Sequence, residues 1–317
     1  MQSREYLFRV SICIPVFNWD IRLLLSGLLD ELSSSHYRSD VELIITDDSS
    51  SNAALKERNR QFVDEHMFEH LHYRELDHNV GRAKIRNLLA EEASGEFLLF
   101  LDSDVLPDEK DFLEKYLYYV DRNEWDVVCG GLSCINRIMI DKRYDFYLYL
   151  SKKIEAVPAK VRNKTPWRYL WTSNAMVRKS VFLEIPFDER FSGYGYEDSE
   201  WGIRLTRKYK VLHIDNTVSH LGLVTKEKAY QKMRNSIRNY VLLARLHPEA
   251  FRDSGIYKIT SRLVFINSSL LNIADAALQK LFASNNSNAL CFLIFQLNKA
   301  VLFVKELKNS GNLCGLH

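Results

Sequence analysis

The chain has 317 residues, a formal net charge of +2 and 46% hydrophobic residues, which is ample for the core of one large domain or of one and a half. Its five cysteines are scattered without a CxxC pair that would indicate a zinc site, and their odd number argues against a disulfide framework. The first nine residues have no apolar core of signal-peptide length. We therefore expect a protein of a reducing compartment, cytoplasmic rather than secreted.

The charge is unevenly distributed along the chain. Residues 226–317 carry 13 Lys and Arg against 5 Asp and Glu, which leaves 30 against 36 in residues 1–225. An acidic front and a basic rear predict two roles and a boundary near residue 225. The basic part suits an anionic membrane surface, a nucleic acid or an anionic acceptor. We expect no nucleic-acid partner, because the basic residues are spread over helices without a known module.

Strand and helix signals alternate over the first two-thirds of the chain, which predicts a mostly parallel α/β sheet. The predicted strands are 10–16, 41–46, 72–76, 97–101, 127–131, 171–177 and 211–218. The predicted helices among them are 20–32, 53–67, 82–93, 107–120 and 197–208. The intervening residues 135–170 are rich in Tyr, Lys and Arg. They fit an insertion that shapes a cleft, a mobile loop or a plain surface helix.

Beyond the last strand the pattern is helical. The predicted helices are 226–246, 257–281 and 288–307. The apolar run 289–304 is interrupted by Gln296, Asn298 and Lys299, whereas a bilayer span needs about 20 mostly apolar residues. Two alternatives stay open for this helix: peripheral contact with the inner face of the membrane, or packing against its own domain or a second subunit.

The most informative motif is Asp102-Ser103-Asp104. It follows the apolar run 97–101, which reads as a buried parallel strand. Ligands bind open α/β sheets at the carboxyl ends of such strands. Two carboxylates separated by one residue can reach one hard divalent cation and the phosphates that it carries. The alternative is a solvated turn with two acidic residues.

Further polar segments occur in a fixed order around this motif. They are Pro15-Val16-Phe17-Asn18, Asp47-Asp48-Ser49-Ser50, Asn79-Val80-Gly81, Arg86-Asn87, Gly195-Tyr196-Glu197-Asp198 and His220. The order resembles the family 2 glycosyltransferases over about residues 8–222. The resemblance implies a Rossmann-like GT-A nucleotide-diphospho-sugar domain over 1–225. Residues 226–317 would then form a helical extension that meets a membrane surface, an acceptor or an oligomer partner.

The first two strand ends are expected to bind the nucleotide. Pro15 and Phe17, with Asn18, would line a slot for the base. In the family, the residue that matches Asp47 typically accepts the imide N–H of uracil, which implies a UDP-sugar donor. The alternative for Asp47-Asp48-Ser49 is a strand-to-helix turn with an N-cap, and both interpretations can hold if one residue serves each.

Four other residues are expected to contact the nucleotide-sugar. Gly81 permits close backbone approach. The family's counterpart of Arg86 lies near the nucleotide and the metal-binding loop. Arg82 and Lys84 could touch the diphosphate, with a solvated helix face as their alternative. Asp102 and Ser103 belong to the same set, since the family's counterpart of Asp102 more often binds the ribose or a metal-bound water.

The departing diphosphate develops negative charge, which a divalent cation neutralises without proton transfer. In the family, the last Asp of the motif contacts the metal most directly, which implies Asp104 as the prime ligand, with Asp102 in support. His220 matches a family position that completes the metal shell in several branches, although a lone His is usually structural. Oxygen ligands suit Mg²⁺ or Mn²⁺, and an imidazole favours Mn²⁺.

The acceptor hydroxyl needs a general base. The Gly- and Tyr-rich loop before Glu197-Asp198 is similar to the acceptor-side segment of galactosyl- and N-acetylgalactosaminyl-transferring relatives. The resemblance implies Asp198 as the base and Glu197 as a ligand of sugar hydroxyls. Tyr194 and Tyr196 flank Gly195 where those relatives often have Trp-Gly-Gly, so the donor sugar stays open. The alternative is negative charge that stabilises a helix N-terminus.

Together these expectations describe a metal-dependent inverting glycosyltransferase. It would move Gal, GalNAc, Glc or GlcNAc from a UDP-sugar to a saccharide or lipid-linked acceptor in cell-surface glycan synthesis. The alternative is a catalytically inactive regulator that binds a nucleotide or sugar on the same fold, against which the intact Asp102, Asp104 and Asp198 speak. A nucleotidyltransferase lacks support, because no Gly-rich basic loop follows the first strand.

Overall fold

The computed structural model describes residues 6–66, 68–136, 141–252 and 255–310. In these ranges the strands are β1 (Phe8–Val16), β2 (Val41–Asp47), β3 (Leu71–Glu75), β4 (Gly95–Leu101), β5 (Val105–Pro107), β6 (Val127–Cys129), β7 (Leu132–Ser133), β8 (Asn174–Arg178), β9 (Val211–His213) and β10 (Val218–His220). Seven of them form one sheet in the order β3-β2-β1-β4-β8-β6-β9. Only β8 runs antiparallel to its neighbours there, so the predicted parallel-rich sheet is confirmed.

Helices cover both faces of the large sheet and continue beyond it. They are α1 (Arg22–Ser33), α2 (Ala53–Glu65), α3 (Arg82–Glu92), α4 (Phe112–Arg122), α5 (Asp145–Ile154), α6 (Ala159–Arg162), α7 (Lys179–Glu184), α8 (Glu197–Thr206), α9 (Lys226–Asn235), α10 (Ile237–Leu246), α11 (Pro248–Arg252), α12 (Tyr257–Leu263), α13 (Ser268–Ser284) and α14 (Asn288–Asn309).

The continuous apolar sequence of β4 is explained by burial on both faces. Phe97, Leu99 and Leu101 point into the core that α1 and α4 cover. Leu98 and Phe100 alternate with them and point into the core that α3, α7 and α8 cover. Because successive side chains of a strand point to opposite faces, a strand with two covered faces needs an unbroken apolar run.

The predicted strand 211–218 is wrong as a single element. It is two strands in different sheets: β9 pairs with β6 in the large sheet, and β10 lies between β5 and β7 in a three-stranded sheet. The turn between them is held by Asn216, whose side chain donates to the Phe112 carbonyl at 2.9 Å. Asn174 donates to the Asn216 carbonyl at 2.8 Å.

Other boundaries also differ from the predictions. Pro107 ends the edge strand β5 rather than beginning a helix, and an edge position tolerates a residue without an N–H. The predicted helices 226–246 and 257–281 are each divided. Ser236 separates α9 from α10, and Asn267 caps α13 by accepting a hydrogen bond from the Leu270 amide at 2.8 Å.

The described part of residues 135–170 is largely helical, and residues 137–140 lie outside the described ranges. Helix α5 is more than a surface helix, because Phe146, Tyr147 and Leu150 are buried against α9 and α14. Tyr147 also contacts His220, so this segment reaches the candidate site.

The C-terminal helices pack on the α/β part of the chain. Phe191 and Ile203 share a core with Tyr240 of α10 and Val304 of α14. This packing accounts for most of the apolar run 289–304, because the inner face of α14 is buried. Among the described residues, no helix combines the length and the apolar character that crossing a bilayer requires. The boundary at residue 225 stays a prediction.

One buried carboxylate ties three of these helices together. Asp275 of α13 accepts hydrogen bonds from Arg234 at 2.6 Å, Lys305 at 2.7 Å and Asn298 at 3.0 Å. Burial disfavours its charge, but these donors prevail and lower the pKa of Asp275 well below its usual value. The folded state therefore holds this carboxylate ionised.

We expect Asp275→Asn to lower the free energy of unfolding at neutral pH by about 2 to 4 kcal/mol, because two cations lose their partner in a buried site. A carboxylate with a lowered pKa stabilises the fold above its unfolded-state pKa near 3.8, and this stabilisation is lost as pH falls below that value. Urea unfolding at pH 7 and pH 3 measures both effects. If the unfolding free energies of the wild type and the variant differed by the same amount at both pH values, the prediction would be contradicted.

Candidate active site

A cleft of about 350 Å³ lies where β1, β2 and β4 end and α3 begins. Its lining comes from five separate stretches of the chain. The lining residues are Pro15, Val16, Phe17, Trp19, Asp48, Asn79, Gly81, Arg82, Ile85, Arg86, Asp102, Ser103, Asp104 and Gly193. The predicted Pro15, Phe17, Gly81, Arg86, Asp102, Ser103 and Asp104 are all among them. Parallel strands bring their carboxyl ends to one edge, which explains why these distant residues meet.

The structure does not bring Asp47 into the cleft. Its carboxylate is fully buried and accepts hydrogen bonds from the amide and the hydroxyl of Ser50, at 2.6 and 2.7 Å. The predicted contact of Asp47 with the base is therefore not supported, and the turn alternative describes its position. Asp48 faces the cleft instead and accepts from the amides of Val80 and Gly81, at 2.7 and 3.0 Å.

Asn18 also lies outside the lining. It adopts a left-handed backbone with φ of 52°, and its side chain accepts a hydrogen bond from the Asn52 amide at 3.1 Å. It thus joins the loop after β1 to the start of α2. Trp19 and Asn79 also line the cleft. Neither was assigned a role from the sequence, although Asn79 belongs to one of the polar segments and Trp19 directly follows another.

Asp102 is held by two neighbours. Its two carboxylate oxygens accept from Arg86 at 2.5 Å and from Ser173 at 2.7 Å. Burial opposes its charge, but the guanidinium groups of Arg86 and Arg82 and the Ser173 hydroxyl together lower the pKa of Asp102. Ser173 was not predicted as a site residue, because the short strand that follows it aligns with β4 only in the folded sheet.

Asp104 and His220 meet although 116 residues separate them. The His220 Nε2 atom lies 3.0 Å from Asp104 Oδ2, and its Nδ1 atom lies 3.1 Å from the Tyr147 hydroxyl. Antiparallel pairing of β5 with β10 places His220 opposite Val105, directly after the motif. The contact joins the two atoms that could ligate a cation, while Tyr147 orients the ring from its other side.

The surroundings of this pair fit a divalent cation. A Cβ at Gly222 would lie 2.2 Å from Asp104 Oδ2, so only glycine leaves this side of the carboxylate open. No group of three or more His, Cys, Asp or Glu with metal-ligand spacing occurs in the part of the chain that the structure describes. One carboxylate and one imidazole, with diphosphate oxygens from a ligand, form a donor set that suits Mn²⁺ or Mg²⁺.

Asp198 and Glu197 begin α8 after the glycine-rich loop. The Thr172 hydroxyl donates to Asp198 at 2.7 Å, and Glu197 is buried with its carboxylate 3.6 Å from Arg82. Burial raises the pKa of Asp198 to about 7, and the charge of Glu197 adds to this, whereas Arg86 and Thr172 oppose it. A carboxylate with a pKa near neutrality is suited to general-base catalysis.

The C-terminal helices hold the loop before α8. Asn239 donates to the carbonyls of Ser192 and Gly195, at 3.0 and 2.9 Å. The Tyr196 ring stacks on Tyr240 with centroids 4.6 Å apart, and its backbone is left-handed with φ of 73°. Such a conformation persists in a non-glycine residue only where the surrounding structure enforces it. The helical extension is therefore part of the site, which the sequence did not reveal.

Comparison with known proteins agrees with this geometry. A family model described as Glycosyl transferase family 2 matches residues 11–185, more than half of the chain. The chain belongs to glycosyl transferase family 2. A relative of this family 2 chain, the uncharacterized glycosyltransferase YfnE of Bacillus subtilis (strain 168), is 25% identical over 242 residues, which cover 62% of this chain and 60% of YfnE. The chain spans about 60% or less of the length of the curated relatives that it matches.

Two solved structures resemble this family 2 chain over almost its whole length. TarS 1–349 of Staphylococcus aureus has a TM-score of 0.52 at 18% identity, covering 96% of this chain and 92% of that one. The mannosyltransferase PcManGT of Pyrobaculum calidifontis, in complex with GDP-Man and Mn²⁺, has a TM-score of 0.55 at 19% identity, covering 97% and 91%. The predicted GT-A fold with a helical extension is confirmed.

We expect Thr172→Val to shift the pH profile of this family 2 chain. Thr172 is fully buried and its hydroxyl stabilises the ionised form of Asp198, so its loss raises the pKa of Asp198 further. The acid limb of the kcat profile should move to higher pH while the plateau is retained. A Thr172→Ser variant keeps the hydroxyl and should keep the wild-type profile. An unshifted limb in Thr172→Val would contradict the prediction.

Proposed function

We propose that this chain is a metal-dependent inverting glycosyltransferase that uses a UDP-sugar. The observation that carries the proposal is the meeting of Asp104 and His220 beside a cleft that Asp48, Arg86 and Asp102 also line. A regulator that only binds a nucleotide has no need of Asp198 with a pKa raised toward neutrality, so the inactive alternative is less favoured.

The choice of UDP is supported by the ligands of similar solved structures rather than by the position of Asp47. TarS has been solved with UDP and with UDP-GlcNAc, whereas PcManGT was solved with GDP-Man. A curated relative of 26% identity over 133 residues is the poly(ribitol-phosphate) beta-N-acetylglucosaminyltransferase TarS. We therefore place UDP-GlcNAc first, with Gal, GalNAc and Glc donors as alternatives. A saccharide or lipid-linked glycan remains the proposed acceptor.

Separate groups of residues act on the acceptor hydroxyl and on the departing nucleotide. Asp198 removes the proton of the acceptor hydroxyl, which attacks the anomeric carbon directly and inverts its configuration. Thr172 holds Asp198 in place, and Glu197 binds sugar hydroxyls from its buried position beside Arg82. Arg86 keeps Asp102 ionised at the cleft. A divalent cation held by Asp104 and His220 would supply charge neutralisation for the departing diphosphate.

Peripheral contact with a membrane is a separate part of the proposal. Large apolar side chains are exposed on α13, on α14 and in the turn before α13. We call this set the apolar stripe, and its residues are Phe265, Leu270, Ile273, Leu281, Leu290 and Leu293. Phe265 is 82% exposed. Since this part of the chain also carries the surplus of Lys and Arg, we propose that the stripe rests on an anionic bilayer surface.

We expect the double variant Phe265→Ser/Ile273→Ser to lose co-sedimentation with vesicles that contain anionic lipid, by about fivefold or more. Leu23→Ser is the matched control, because Leu23 is equally apolar and exposed but lies on α1. Equal sedimentation of the double variant and the control would contradict membrane contact through this stripe.

The experiment that tests the activity is release of UDP from a panel of UDP-sugars, measured with Mn²⁺ and with chelator. Slow hydrolysis of one donor that stops on chelation would support the proposal and identify the sugar. The absence of both hydrolysis and metal-dependent UDP binding would refute the proposal and favour the inactive regulator. A GDP-sugar in the same panel tests the alternative nucleotide.

A further inference from the structure

A second cavity of about 490 Å³ lies between the α/β part of the chain and the C-terminal helices. Aromatic rings dominate its lining: Trp167, Tyr169, Trp171, Tyr196, Tyr240 and Phe251. Its charged residues are Lys153, Arg168 and Lys299, with Glu155 as the one carboxylate in the lining. We call it the aromatic cavity. Flat apolar rings together with a few polar groups are the composition of a small-molecule site.

The aromatic cavity adjoins the candidate base. Tyr196 and Ser199, which line it, flank Glu197 and Asp198 in the sequence. Trp171 also lines it and immediately precedes Thr172, the hydrogen-bond donor to Asp198. A molecule in this cavity would therefore lie against the backbone segments that carry the base and its partner. None of its lining residues belongs to the donor cleft.

Lys299 is the distinctive group of the cavity. Its ammonium lies 4.4 Å from the centroid of the Tyr240 ring and 5.2 Å from that of Tyr196. No hydrogen bond or ion pair joins it to another residue in the described ranges. Burial, together with the nearby charge of Arg168, lowers the pKa of Lys299. A partly desolvated cation without an anionic partner gains most from a ligand that brings one.

We propose that the aromatic cavity binds an acceptor sugar unit that carries an anionic group, and that Lys299 contacts that group. The inference rests on the proposed glycosyltransferase function and adds the chemical class of its acceptor. Three cations against one carboxylate favour an anion over a neutral sugar, and Glu155 already accepts a hydrogen bond from Ser151. The rings of Trp167 and Trp171 supply stacking surfaces for sugar C–H groups. A carboxylate and a phosphate satisfy the same contacts.

The test uses the full chain with excess UDP and Mn²⁺, so that the donor cleft is occupied. The probes are a tetrasaccharide containing hexuronic acid, its carboxyl-reduced neutral analogue, glucose 6-phosphate and glucose. Quenching of tryptophan fluorescence reports binding, because Trp167 and Trp171 line the cavity. We expect a charged probe to bind about tenfold more tightly than its neutral partner. Whether the carboxylate or the phosphate shows the preference identifies the anion.

Three variants locate the effect. Lys299→Met keeps an unbranched aliphatic side chain beside the rings and should abolish the preference for the charged probe, whereas Lys299→Arg should retain it. Lys280→Met removes an exposed cation of α13 and serves as the matched control. Equal binding of charged and neutral probes to the wild type, no binding of any probe, or an unchanged preference in Lys299→Met would each overturn the inference.

Failure of this inference is distinguishable from failure of the proposed function. If the wild-type chain hydrolyses a UDP-sugar but shows no preference for charged probes, the proposed activity stands and the anionic acceptor is refuted. If it neither hydrolyses a nucleotide sugar nor binds UDP with Mn²⁺, both proposals are refuted. Thermal melting of each variant shows that an altered preference is not caused by unfolding.

Discussion

An Asp104→Asn variant is expected to lose Mn²⁺-dependent UDP binding and to hydrolyse the donor about a thousandfold more slowly. The carboxylate is the anionic member of the Asp104–His220 pair, and an amide cannot replace its charge toward a divalent cation. The backbone should be unaffected, because the Asp104 carbonyl keeps its hydrogen bond from the Leu221 amide at 2.7 Å. Calorimetric titration of UDP with Mn²⁺ and with chelator measures the loss.

Two further variants make this result specific. His220→Gln should weaken metal-dependent binding less, by about ten- to a hundredfold, because Asp104 retains its charge. Asp64→Asn is the matched control, since Asp64 is an exposed carboxylate of α2. Metal-dependent UDP binding that survives in Asp104→Asn would show that the cation is held elsewhere or is not used.

The second large effect is expected at the base. Asp198→Asn should lower kcat for transfer by about 10² to 10⁴ while UDP binding is retained, since Asp198 does not line the donor cleft. The wild-type rate should rise with pH through about 7, where Asp198 loses its proton, and this limb should disappear in the variant. Single-turnover transfer from pH 5.5 to 9 measures both quantities. Transfer at the wild-type rate would exclude Asp198 as the base.

The same substitution should stabilise the fold at alkaline pH. Burial raises the pKa of Asp198 to about 7 from the ordinary aspartate value near 3.8. Between these values the folded state binds a proton that the unfolded state does not, so wild-type stability falls as pH rises through this window. The asparagine variant avoids a buried charge, and its Tm at pH 8 should exceed that of the wild type. Such an opposition of stability and activity is common at active sites.

Local sequence patterns were sufficient for the elements that carry the donor cleft. The run before Asp102 is apolar because β4 is covered on both faces, and the carboxyl ends of parallel strands converge by geometry. These two facts placed Pro15, Phe17 and Asp104 in one cleft without any knowledge of distances. They did not distinguish Asp47 from Asp48. Adjacent residues of a strand point to opposite sides, and the choice between them depends on which neighbours the folded sheet supplies.

The division of 211–218 into two strands shows the limit of local patterns. Asp215 and Asn216 interrupt its strand-forming pattern with residues that favour turns, and Asn216 is held there because Phe112 and Asn174 offer hydrogen-bond partners. The interruption does not by itself say which sheet each strand joins. That turn directs β10 into the small sheet and so delivers His220 to Asp104. No sequence pattern near residue 216 contains the positions of those partners.

The sequence by itself therefore determined the alternation of strands and helices, the polar residues at the strand ends and the family to which the chain belongs. Tertiary structure alone decided which carboxylate faces the cleft, that Asn239 and Tyr240 hold the loop before Asp198, and that Lys299 lies beside it. The physical reason is the separation of the interacting residues along the chain. Periodicity and turn chemistry act between residues that are close in the sequence. The site depends on contacts between residues 44 to 116 positions apart, and these contacts exist only after the core has formed.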